Sequence, residues 1–160
     1  MQTLRAGSFE LGYSNGFIPR IRYDSVEVLR MIYMALRDQN WNTYHPIIEN
    51  EKINVEADRF EINYDCFHEL NGKRIFKWQV AIGGNVNSEI TFEIFGESLA
   101  DVLKNRAGLC ILHPIKNTAG APCEMYHTDG SSGTSSFPIM ISADNPFKYL
   151  KAFRWKCENN

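Results

Sequence analysis

The chain has 160 residues, 44% of them apolar and 22% charged, and its 17 basic and 19 acidic side chains leave a net charge of −2. At that length roughly 70% of the extended-chain surface is buried on folding, so one core suffices without disulfide or metal staples, and disordered or fibrous classes are excluded. Interspersed charges of both signs argue against a nucleic-acid partner, and no apolar run approaches the roughly 18 residues of a membrane span.

The opening MQTLRAGSFEL lacks the layout of a signal peptide, so the expected address is cytoplasmic, with no membrane partner. Cys66, Cys110, Cys123 and Cys157 are widely spaced and form no C-x-x-C pair. They read as reduced thiols, and neither a zinc site nor any other cofactor is implied.

In chain order, Phe9, Leu11 and Tyr13 alternate up to Asn15-Gly16, and a second alternating run follows to Tyr23. Asn-Gly is the pair best suited to positive φ, so these runs form a hairpin. Residues 25–37 are ambiguous between helix and strand, and Val26, Val28, Ile32 and Tyr33 favour two strands with a kink. Residues 38–50, with Pro46 and no clear period, read as a long connection before a strand at 52–56. Phe60, Ile62, Tyr64 and Cys66 then share one parity, as do Phe76, Trp78, Val80 and Ile82 beyond Asn71-Gly72. Gly83-Gly84-Asn85 reads as a break before Ile90, Phe92 and Ile94 complete a three-strand meander over about 59–96.

The one place that admits a short helix is 98–104, with Ser98 as cap. Ala107 to Leu112 is apolar on both parities and so reads as a central strand stopped by Pro114, after which 115–136 is a long loop with GSSGTSS as its tip. The expected fold is an all-β, antiparallel β-sandwich, with two packed sheets and residues 1–160 as a single domain.

Arg106 and His113 mark opposite ends of one strand, more than about 20 Å apart, so they cannot share a compact site. Arg106 reads either as a structural strand-end residue or as an anchor for a carboxylate or hydroxyl. His113, His127 and Asp129 are the catalytic candidates, as an acid/base pair or a two-His, one-carboxylate set, although Asp129-Gly130 is by itself a good turn. Trp41 and Tyr44 in NWNTYHP suit stacking on a sugar ring, against the plainer role of plugging one end of the sandwich. Cys110, inside an apolar strand, reads as inert.

Taken together, LRAGSFELGYSNGFIPRIRYDSVEVLRMIYMALRDQNW, NRAGLCILHP with AGAPCEMYHTDG, and SSFPIMISADNPFKYLKAFRW resemble the N-terminal region of the D-apionate lactonase-like family, bacterial proteins of branched-sugar-acid breakdown. The resemblance spans nearly the whole chain. It implies a β-sandwich that precedes, in full-length members, a larger barrel-like region holding acidic catalytic residues. It therefore implies a fragment of a longer protein, an accessory domain whose partner is the downstream catalytic domain and whose ligand, if any, is a sugar acid or lactone. Arg37, Asp38, Trp41, Arg106, His113, His127 and Asp129 all fall within the matching segments. Two alternatives stand beside this reading: a carbohydrate-binding module using Trp41, Tyr44 and the 115–136 loop, and a self-contained mutarotase-like enzyme using His113 and His127.

Overall fold

A computed structural model describes residues 1–140 and 147–156. These form two compact units, divided between Leu112 and His113. The first contains β1 (Gln2–Ala6), β2 (Phe9–Tyr13), β3 (Ile18–Tyr23), β4 (Val26–Asp38), β5 (Ile47–Val55), β6 (Phe60–Leu70), β7 (Lys73–Asn85), β8 (Glu89–Ser98) and β9 (Lys104–Leu112). They make a five-stranded sheet in the order β1-β2-β3-β4-β9 and a four-stranded sheet in the order β5-β6-β7-β8, both antiparallel.

The all-β sandwich is as expected, because alternation delivers one apolar face per sheet. Leu4, Leu11, Ile18, Ile21, Met34 and Leu36 from one sheet meet Phe60, Ile62, Tyr64, Trp78, Val80 and Ile82 from the other in a single core. Glu61, Asn63 and Asp65 take the opposite parity on β6 and lie outside that core. Both Asn-Gly turns also form, with positive φ at Asn15, Gly16, Asn71 and Gly72.

Several local expectations are corrected. Residues 26–38 are one continuous strand rather than two. The first half of β4 pairs with β3 and the second half with β9, so each half takes its main partner from a different side. Gly83 and Gly84 lie inside β7, not at a break. Gly84 is needed there because a Cβ would come within 2.2 Å of the Phe60 ring and 2.8 Å of the Ala6 methyl. β5 begins at Ile47, ahead of the expected 52, and shifts register between Glu49 and Lys52, with Asn50 at φ 55. No helix forms at 98–104. β9 is an edge strand rather than a central one, which leaves Leu109 and Ile111 40% and 49% exposed. Apolarity on both parities signalled burial, but only β4 hydrogen-bonds to it.

The second unit contains one helical turn, α1 (Ile115–Thr118), then β10 (Pro122–His127), β11 (Ser132–Ser136) and β12 (Leu150–Trp155), in a three-stranded antiparallel sheet ordered β11-β10-β12. The 115–136 segment is thus structured, and SGTSS is a strand in register with β10 rather than a loop tip. In this unit Phe137, Phe147, Phe153, Trp155 and His113 form an aromatic cluster with ring-centroid distances from 4.8 to 6.4 Å. Cys66 and Cys123 are buried free thiols and Cys110 is half-buried, while Cys157 lies outside the described residues.

Candidate functional site

The site is built at the C-terminal end of β4. Beyond Asp38 the chain folds back on its own strand: the Tyr44 amide donates to the Leu36 carbonyl at 3.0 Å and the Asp38 amide to the Asn42 carbonyl at 2.9 Å. These bonds satisfy β4 backbone groups where β3 no longer runs alongside. The Asp38 carboxylate organises the turn by accepting from the Asn40 amide at 2.8 Å and from the Asn42 amide and side-chain nitrogen at 2.9 Å each. The Asn42 side-chain bond is the main reason its pKa lies below the usual carboxylate range.

The far side of this loop is pinned by His68, which is 1% exposed. Its Nδ1 lies 3.2 Å from the His45 carbonyl, and its Nε2 accepts from the Trp78 indole N–H at 3.0 Å. These partners fix the neutral tautomer with the proton on Nδ1, and burial pushes the imidazole pKa down. His68 continues the buried parity of Phe60, Ile62, Tyr64 and Cys66. Carrying that alternation two residues further would have found it.

Between these two anchors sits Trp41, 50% exposed and held at φ 70. A bulky residue at positive φ is a genuine outlier, a conformation kept only where surrounding bonds over-determine it. The guanidinium carbons of Arg37 and Arg106 lie 5.9 and 5.5 Å from its ring centroid. The two arginines are cross-strand partners in the β4–β9 register, and like charges placed opposite each other are unfavourable without a compensating group. Neither has a carboxylate within ion-pair distance among the described residues. Arg37 lies near the Tyr33 hydroxyl, whose pKa is raised first by burial and then by the neighbouring Cys110 thiol, so this group stays neutral. Arg106 makes a long 3.4 Å bond to the Asn105 carbonyl.

Of the residues singled out from sequence, Trp41 and Arg106 therefore meet, and Arg37 joins them. Tyr44 does not, because its side chain packs against the sandwich core. His113 packs edge-on to Trp155 at 4.8 Å and Phe153 at 5.5 Å, its Nδ1 buried with no hydrogen-bond partner among the described residues and its pKa lowered by burial. Asp129 closes the turn after β10, accepting from the Ser131 amide at 2.9 Å and hydroxyl at 2.7 Å, and its pKa is lowered chiefly by that hydroxyl. His127 sits at the end of β10, where its backbone bonds Ser131 and Gly130. No cluster of three His, Cys, Asp or Glu suited to a metal occurs among the described residues.

Comparison with known proteins adds the following. The family model described as D-apionate lactonase, N-terminal domain, matches residues 1–160. A D-apionate lactonase of Brucella anthropi is 32% identical over 149 residues, covering 93% of this chain but 24% of that protein. The chain thus spans about a quarter of the length of the curated relative it matches. No solved structure matches.

Proposed function

Given that the chain belongs to the family of D-apionate lactonase N-terminal domains, we propose that residues 1–160 act as one accessory domain of a longer cytoplasmic, bacterial carbohydrate-acid hydrolase. In this reading the reaction is carried out by a downstream catalytic domain of the same protein, which is this domain's partner, and the substrate class is a sugar acid or its lactone. The observation that carries it is the match itself, to a family described as an N-terminal domain and to only 24% of the length of a D-apionate lactonase. The chemistry of the chain agrees. Lactone hydrolysis needs a positioned base or activated water and groups that stabilise the developing oxyanion. Here Asp38 and Asp129 are occupied in holding turns, and His68 is sealed between a carbonyl and an indole. No helix of the described residues is long and apolar enough to cross a membrane.

The reading is tested by pH-stat assay of an aldonolactone with two proteins. One is the 160-residue chain alone, the other the Brucella anthropi lactonase with this chain in place of its own matching segment. The expected result is no hydrolysis above the buffer rate by the chain alone and a folded, active chimera. Turnover by the short chain would overturn the accessory assignment.

A further inference from the structure

Arg37 and Arg106 share one aromatic ring, that of Trp41, with no ion pair to either among the described residues, whereas Arg20 and Arg22, which also lack an ion pair there, lie over no ring. Arg5, Arg30 and Arg59 each pair with a nearby carboxylate, and Arg74 reaches both Glu49 and Glu69. The comparison with Arg74 is the closest, because it too lies over an aromatic ring. Its guanidinium carbon stands 3.9 Å from the Phe67 centroid, in direct stacking contact, and its charge is met by two glutamates. Arg37 and Arg106 stand back from Trp41 by 5.9 and 5.5 Å, and no carboxylate answers either charge among the described residues. Each guanidinium carries five N–H donors in a planar fork, and the long bond from Arg106 to the Asn105 carbonyl leaves most of them unused.

The arrangement also costs stability. Two like charges face each other across a strand pair, and a half-exposed indole is held in the left-handed region. The one carboxylate that could have neutralised them from the same strand end, Asp38, is turned to the amides of Asn40 and Asn42. A pair of unsatisfied guanidiniums beside an exposed aromatic surface is the chemistry that receives an anion with an apolar face. A carboxylate fits the fork bidentately, and C–H groups next to it lie on the indole.

The geometry points to a binding subsite at Arg37, Trp41 and Arg106 for the carboxylate of a small polyhydroxylated acid, with the carbon chain of the acid against the Trp41 ring. The polyhydroxylated part rests on the lactonase reading above, whereas the carboxylate part rests on the arginines alone. Bound there, the anion offsets the repulsion between the two guanidiniums, so Arg37 and Arg106 act together and the loss of either weakens the site.

The test uses the 160-residue chain and does not depend on catalysis, so its failure is distinguishable from failure of the accessory assignment. Sodium gluconate is titrated while the side-chain N–H signals of Trp41, Trp78 and Trp155 are followed by heteronuclear NMR, with the Trp41 signal identified by its loss in Trp41→Phe. Uncharged sorbitol and sodium sulfate at matched ionic strength are the comparison arms. We expect a saturable shift of the Trp41 indole with gluconate and none with sorbitol or sulfate. Trp78, buried in the core, serves as the folding reference and should not move. Arg37→Gln and Arg106→Gln should each weaken binding by about tenfold, the loss of a charge-assisted bond worth about 1.4 kcal/mol. Arg59→Gln, which removes an exposed arginine paired with Glu56, should leave it unchanged. The proposal is overturned by a linear or absent response to gluconate, by an equal response to sulfate or sorbitol, or by gluconate affinity that survives both substitutions with the Trp78 signal intact. If Arg37→Gln perturbs the fold through Tyr33, Arg37→Lys keeps the charge but not the fork and should still bind more weakly.

Discussion

The sandwich buries His68 and the aromatic cluster of the second unit half-buries His113, and they treat the two rings differently. His68 lies on the regular ladder of β6 and β7, where Cys66 faces Trp78 and His68 faces Phe76, so an indole donor is one diagonal step away. Both its nitrogens are satisfied. His113 is enclosed by Phe137, Phe153 and Trp155, rings that offer shape and dispersion but no acceptor, and both its Nδ1 and the Trp155 Nε1 lack partners among the described residues. A ladder supplies polar partners at fixed spacing, whereas a cluster gathered from separate chain segments supplies mainly surface.

The comparison can be broken most directly by truncating one residue in each region. Ile62 is fully buried between the sheets, and Ile62→Ala should lower unfolding free energy by about 2–5 kcal/mol in urea titrations. Phe153→Ala, at a half-buried ring, should cost less, about 1–2 kcal/mol. Equal losses would mean that the second unit is packed as tightly as the sandwich.

A second, smaller effect is in pH. Burial lowers the pKa of His68, so the folded chain keeps the ring neutral while the unfolded chain takes up a proton near its ordinary value of about 6.5. The folded state therefore binds fewer protons. Its stability is complete above that pH and is lost as pH falls below it, by at most about 1.4 kcal/mol per pH unit. Thermal melts from pH 7.5 down toward pH 5, values chosen to span about a unit or more on either side of that pKa, should show the loss. His68→Gln, which keeps a donor and an acceptor but does not titrate, should reduce the slope and leave the part due to His113, whose pKa burial also lowers.

The smallest effect expected is at His113. His113→Phe removes a buried nitrogen that has no partner among the described residues, and should be neutral or stabilising by up to about 1 kcal/mol in the same urea titrations. A clear destabilisation would show that this ring makes a polar contact after all.

The sandwich was readable wherever one physical rule acted alone. Phe60 through Cys66 and Phe76 through Ile82 needed only a period of two, and Asn15-Gly16 and Asn71-Gly72 only a tolerance for positive φ. The reading failed where a second requirement overrode the first. Gly83-Gly84 looked like punctuation because glycine breaks strands, but Gly84 is there to clear the Phe60 ring. The Ala107–Leu112 run looked central because it is apolar on both parities, but pairing order is a tertiary property and puts it at an edge.

The candidate site was half legible. Trp41 and Arg106 stood out by residue type, but their approach depends on the β4–β9 register, which also brings in Arg37 and which no local pattern reveals. Tyr44 lies apart from Trp41 because the fold-back of residues 42–44 along β4 leaves Trp41 half-exposed and packs Tyr44 against the core.

β4 runs for about 40 Å, yet only Met31 and Ile32 face partner residues on both flanking strands. The five-stranded sheet is therefore two smaller sheets spliced over one short lap joint. Hydrogen bonding passes from β9 to β3 only through that joint, and the half that carries Arg37, Arg106 and the Trp41 loop is held to the core by Met34 and Leu36 rather than by the hairpin strands.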